Sequence, residues 1–178
     1  MHREILEFWF DELSPAQWWK KDAAFDRMIA ERFGDVHAQA ARGELFEWRS
    51  TPAGRLAEVI VLDQFSRNMF RDLAAAFACD GMALVLAQEA IATGAEQALR
   101  PNERSFLYMP FMHSESLAIH KIAVQLFERN GIPGNLDYEL KHKTIIERFG
   151  RYPHRNAILG RESTPDEVEF LKQPGSRF

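Results

Sequence analysis

Apolar side chains recur along this chain at steps of three and four. Between Asp22 and Arg42 they fall at Phe25, Ile29, Phe33, Val36 and Ala40, one stripe down a helix face. Ile5 to Leu13 reads as an earlier helix, dense in rings at Phe8, Trp9 and Phe10. No segment alternates apolar with polar residues, and Val, Ile and Thr do not gather between turn residues, so no strand is expected.

Helix punctuation is frequent instead. Ser14-Pro15 starts a short turn carrying Trp18 and Trp19. Asp22 is placed as an N-cap, and Gly43 as the stop of that helix. Gly34, inside it, marks a place where it can kink. Thr51-Pro52 pairs a capping hydroxyl with a proline at the first helical position and opens a helix to about Phe70. Asp80 is expected to cap a helix that ends at Gly94. Pro101 opens a short helix to Met109, which Pro110 should interrupt. Ser114 should then cap a helix reaching Asn130-Gly131. A further helix runs from Leu136 to Phe149 and stops at Gly150. Thr164-Pro165-Asp166-Glu167 is a capping box that opens a last helix through Leu171. Short connections favour antiparallel neighbours. The expectation is an all-α fold of stacked helical hairpins, one domain over residues 1–171, with 172–178 as a flexible tail.

Composition narrows the function. A chain of 178 residues buries roughly 70% of its unfolded surface and needs neither disulfide nor metal to fold. The 14 Phe and 4 Trp supply either a thick aromatic core or the lining of a pocket. A net charge of −4 argues against nucleic acid as a partner. Cys79 is the single cysteine, so an internal disulfide, a CxxC pair and a cysteine-cluster zinc site are excluded. It sits in an apolar stretch and reads as a small core residue. The N-terminus lacks the apolar core of a signal peptide, and no run approaches 18 consecutive apolar residues. A cytoplasmic protein without a membrane partner is the simplest expectation, and no cofactor is implied.

Polar residues inside apolar helical context are where chemistry is sought, because burying them is costly unless they are paired. The helix opened by Pro52 contains Asp63, Arg67 and Asn68. Its apolar residues nearly encircle it, so it should be buried on most sides. Asp63 and Arg67 stand four apart with the acid first, the favourable order for an ion pair, and are predicted to be largely buried. A second cluster is His113-Ser114-Glu115-Ser116 after Pro110. At a helix start the dipole disfavours an imidazolium, and a neutral His113 can act as a base or a metal ligand. Glu115 would lie in the first helical turn beside it. The densest run leaves a helix at Gly150 and carries Arg151, Tyr152, His154, Arg155 and Asn156. Its arginines suit a carboxylate or phosphate; equally, the run can cap helix ends and pair with the acids. No GxGxxG, GxxxxGK[ST], HExxH or GxSxG is present. The spacing of His113, His120 and His142 does not demand a metal.

Three segments are distinctive together: Val61-Leu62-Asp63-Gln64-Phe65-Ser66-Arg67-Asn68-Met69-Phe70, Phe106-Leu107-Tyr108-Met109-Pro110-Phe111-Met112-His113-Ser114-Glu115, and Ile146-Glu147-Arg148-Phe149-Gly150-Arg151-Tyr152-Pro153-His154-Arg155-Asn156. With the Leu6-Glu7-Phe8-Trp9-Phe10 start and the Gly160-Arg161-Glu162-Ser163-Thr164 end, the chain resembles the bacterial domain-of-unknown-function family 924 over essentially its whole length. It departs from that family at Ser66, where proline is usual, and at Ser116, where an acid is frequent. The resemblance implies a tetratricopeptide-like helical fold and no established activity.

Two functional readings follow. In the first, the three clusters converge on a pocket. Asp63, Arg67, Asn68, Arg151, His154, Arg155 and Asn156 would bind a small anionic molecule there, and His113 with Glu115 would move protons. In the second, the helical surface binds a protein or peptide without catalysis. Convergence of His113, Arg67 and His154 on one cleft would favour the first, an open groove with exposed aromatics the second, and full mutual pairing with no cavity a third, in which the clusters only lock helices together.

Overall fold

The computed structural model describes residues 1–177 and is 72% helical, with no strand among the described residues. The first helix, α1 (His2–Glu7), runs on through a π turn (Phe8–Glu12). Next comes α2 (Ala23–Ala41), whose Asp22 carboxylate accepts the amides of Ala24 and Phe25 at 3.0 and 3.3 Å. It passes Gly34 without a break. A rod of α3 (Pro52–Ile60), a π turn (Val61–Phe65) and α4 (Ser66–Met69) follows. The Thr51 hydroxyl caps it at the Gly54 amide. Gly54 is required there, because a Cβ would lie 2.0 Å from the Trp48 carbonyl oxygen. The remaining helices are α5 (Asp80–Ala92), α6 (Pro101–Met112), α7 (Leu117–Asn130), α8 (Asn135–Phe149) and α9 (Pro165–Phe170). The Thr164–Glu167 capping box is formed in full.

The α3 rod is the axis of the core. Leu56, Ala57, Val59, Ile60, Val61 and Leu62 are fully buried between α1, α5 and α6, while α2 packs on the π turn and α4. The rings make the core of this half. Phe33 lies 4.9 Å from Phe8 and 5.1 Å from Phe65, and Phe106 lies 4.9 Å from Trp18 and 5.5 Å from Trp9. Towards the C-terminus, α6 packs on α7 and α7 on α8. Ile145, Ile146 and Tyr152 form a smaller core with Phe149 and Phe170. Beyond α9, Ser176 is buried and its hydroxyl donates to the Leu171 carbonyl; Phe178, in the expected tail, lies outside the described residues.

Three expectations are corrected. Pro110 does not end its helix: α6 continues to Met112. Only the last turn lacks an amide there, and burial of Phe111 and Met112 holds that turn in place. His113 is therefore the C-cap of α6 rather than the entry to α7, and Ser116, not Ser114, is the N-cap of α7. Asp80 is the first residue of α5 rather than its cap, and its carboxylate faces arginines from elsewhere. Among the described residues, the helical stretch Ala74–Ala92 is long and apolar enough by length and composition to cross a membrane.

Candidate functional site

The π turn in the α3 rod places Asp63, with no exposed surface, under the end of α6. A π turn inserts one residue into the helical register. His113 Nδ1 lies 2.7 Å from Asp63 Oδ1, Gln64 donates to Asp63 Oδ2 at 2.6 Å, and Arg67 approaches Oδ1 at 3.1 Å. Burial alone would raise the Asp63 pKa, but the Arg67 guanidinium and His113 reverse this and hold it far below the usual carboxylate range. Burial pushes the His113 pKa down, the Arg67 charge adds to that, and Asp63 opposes it. His113 is accordingly neutral at pH 7. A carboxylate is an acceptor only, so Nδ1 carries the proton and Nε2 keeps its lone pair. This is the arrangement in which an acid orients a histidine base.

Arginines complete the cluster. Arg67 forms two hydrogen bonds to Asp80, at 2.9 and 3.0 Å. Arg155 reaches Asp80 Oδ2 at 3.3 Å and donates to the His113 carbonyl at 3.0 Å. Its guanidinium lies between the rings of Phe77 and Tyr152, 4.5 and 4.6 Å from their centroids. Its buried Nε has no hydrogen-bond partner among the described residues. Burial, with the charge of Arg67, pushes the Arg155 pKa down. A cleft of about 340 Å³ opens onto this cluster. Asp80, His113, Ser114, Glu115 and Arg155 form its polar wall, and Phe77, Leu84, Pro110 and Leu159 its apolar wall.

The expected site residues divide. Asp63, Arg67, His113 and Arg155 come together, with Asp80, Phe77 and Tyr152 beside them. Glu115 lines the cleft, but both its oxygens are engaged, by Arg161 at 2.6 and 2.9 Å and by the Tyr152 amide at 2.7 Å. It lies in the turn before α7 and not in that helix's first turn. Arg161 and the Tyr152 amide hold it as a carboxylate against the upward push of burial. Asn68 faces away and donates to Asp26, which also holds Arg71. Arg151 grips Glu167 at 2.7 and 2.8 Å. Asn156 bonds Ser163, Glu167 and Arg161. His154 is half-buried with its ring 5.6 Å from Tyr152, and burial lowers its pKa to about 4. Of His113, Arg67 and His154, His113 alone lines the cleft, so the expected convergence of the three is not found. Arg151 and Asn156 thus secure α9 instead of the cleft. A second hollow of about 390 Å³ beside them, at Arg148, Phe149 and Asp166, adjoins the Arg151–Glu167 pair.

Sequence reasoning missed Asp80, read only as a cap, and Phe77, which carries no local signal. Tyr152 stood within the third run but was given no role. Among the described residues, no group of three His, Cys, Asp or Glu side chains is placed to hold a metal.

Fold and site together define an all-helical protein with an acid-held histidine at the wall of an open cleft. Residues 5–175 match the family described as bacterial protein of unknown function (DUF924), and the chain belongs to that family. It is similar to a solved structure of a protein of unknown function from Agrobacterium tumefaciens. The identity is 42%, 96% of each chain is covered, and the TM-score is 0.91. No curated protein matches it.

Proposed function

We propose that the cleft binds a small molecule with an apolar body and an anionic head, and that His113 accepts a proton from it. The observation that carries this reading is the Asp63–His113 contact at 2.7 Å, with His113 on the cleft wall. A neutral, oriented imidazole is the usual form of a general base near pH 7. Arg155 supports the anionic head. Its contact to Asp80, 3.3 Å, is longer than a charge-assisted hydrogen bond normally is. A ligand oxyanion would complete it. The apolar wall suits the ligand's body. The lone cysteine suits a cytoplasmic setting.

A peptide-binding scaffold is less well supported. The most exposed large apolar side chains include Trp19, Phe46, Val85 and Tyr138, which lie on different elements and outside the cleft lining. The test is a thermal-shift titration with phosphate, sulfate and succinate on wild type, Arg155→Gln and Arg151→Gln. The wild type and Arg151→Gln should gain stability that saturates with concentration. Arg155→Gln should show only the unsaturating gain from surface exclusion. Identical responses from wild type and Arg155→Gln would sink the anion-binding reading.

A further inference from the structure

The last turn of α6 exposes carbonyls that no following amide of an uninterrupted helix can satisfy. Three consecutive carbonyls there accept hydrogen bonds from side chains of other elements. Tyr152 Oη donates to Met112 at 2.6 Å, Arg155 donates to His113 at 3.0 Å, and His120 Nε2 lies 2.8 Å from the Ser114 oxygen. The backbone that carries His113 is thereby held at its own carbonyl and on either side.

The third of these bonds fixes the position of a proton. A carbonyl oxygen only accepts, so His120 Nε2 must carry a proton. The other ring nitrogen, Nδ1, lies 2.7 Å from Glu139 Oε1, a distance that also requires a proton between the two atoms. Both residues are fully buried, and Glu139 Oε2 has no hydrogen-bond partner among the described residues. An ionised carboxylate with a bare buried oxygen is costly, whereas the bare carbonyl oxygen of a neutral acid costs far less. Burial pushes the Glu139 pKa up against the pull of His120 and Lys143. Lys143 is itself paired with Glu147. His142, close on the same helix, is pushed down to about 3, chiefly by burial.

We infer that Glu139 is a neutral carboxylic acid that donates to His120 Nδ1, and that this pair is a positioning unit for His113, acting through the Ser114 carbonyl. The inference deepens the proposed function and rests on that reading for its purpose, while the geometry it concerns can be measured separately. Glu139→Gln keeps a donor in place of the acid's hydroxyl, so His120 keeps its tautomer. Glu139→Leu removes the donor and leaves Nδ1 bare. The turn then loosens, and His113 moves toward solvent.

The experiment is carbethoxylation by diethyl pyrocarbonate, followed at each histidine by peptide mass spectrometry as a function of pH. The reagent reports unprotonated imidazole, so the profile of His113 gives its titration in the folded protein. Wild type and Glu139→Gln should share one rate and one midpoint at His113, below that of an ordinary histidine. Glu139→Leu should move that midpoint upward by about half a pH unit or more, toward the unburied value. A folded Glu139→Leu with the wild-type His113 profile would overturn the positioning role. If Glu139→Leu does not fold, Glu139→Gln decides: a His113 profile unlike wild type overturns the inference, and a preserved one supports it. Infrared difference spectra of wild type against Glu139→Gln supply the second readout. A protonated-carboxyl band present only in wild type supports the neutral acid, and a carboxylate band in its place overturns it. Loss of the anion response in the thermal-shift titration, with these results intact, would defeat the ligand reading and leave this one standing.

Discussion

His113–Asp63 and His120–Glu139 are the same contact made twice. In each, a buried acid oxygen lies 2.7 Å from Nδ1 of a histidine. What surrounds the acids differs. Asp63 has Gln64 on its second oxygen and Arg67 beside the first, and its pKa is driven down. Glu139 has a bare second oxygen, and its pKa is driven up. The distance between two titratable groups does not fix where the proton resides; the remaining partners of each group do. The first pair borders the cleft and leaves His113 Nε2 with a lone pair. The second is sealed, and both nitrogens of its histidine are committed to the protein.

The strongest way to break this comparison is to remove the charged acid. Asp63→Ala strands the His113 Nδ1 proton and the Gln64 amide, but Arg67 keeps its two bonds to Asp80. The expected loss is about 3 kcal/mol, the low end for breaking a buried pair, read as a lower urea midpoint at unchanged slope. An unchanged midpoint would show that Asp63 is not a buried partner.

The pH dependence should separate the two acids by sign. Asp63 has a depressed pKa, so its contribution is present above the unfolded value of about 3.9 and fades as pH falls toward the folded one. Glu139 has a raised pKa, so its contribution is present below the unfolded value of about 4.3 and is lost as pH rises through the folded one. Every tenfold difference in proton affinity between the folded and unfolded chain is worth about 1.4 kcal/mol. Asp63→Asn should therefore be less sensitive to acid than wild type, and Glu139→Gln less sensitive to base. The same sign for both variants would refute the assignment.

The smallest effects belong to two arginines four residues apart. Arg151 is part-exposed and pairs with the buried carboxylate of Glu167, and Arg155 is stacked between Phe77 and Tyr152. Arg151→Gln should lower the melting temperature less than Asp63→Ala does, because the Thr164 amide and Asn156 still donate to Glu167, and should leave the wild-type anion response intact. A saturable response lost in Arg151→Gln would move the site from the cleft to the α9 clamp.

Local signals were legible. The caps at Asp22, Thr51 and Thr164, and the left-handed glycines at 43, 94, 131 and 150, all stand where the sequence puts them. The burial of Asp63 followed from the nearly encircling apolar residues of its helix. Pro110 was misread because its cost is local, while the burial of Phe111 and Met112 that outweighs it comes from other helices. The candidate site was half legible. Its residues were recognisable as polar groups in apolar context, but Arg151 and Arg155 look alike in sequence, and nothing in their neighbours reveals that one faces Glu167 and the other Asp80.

The sequence by itself determined that this chain is helical, where most helices start and stop, and that the helix carrying Asp63 is buried on most sides. Those properties depend on residues within one or two turns of each other and on the count of apolar side chains. Only the tertiary structure decided which acid meets which base, that His113 ends a helix instead of starting one, and that two histidines seven residues apart hold opposite kinds of acid. Charge states are set by distance in space, and apart from Asp63–Arg67, which stand four apart, the charged partners at the cleft lie between 13 and 75 residues apart along the chain.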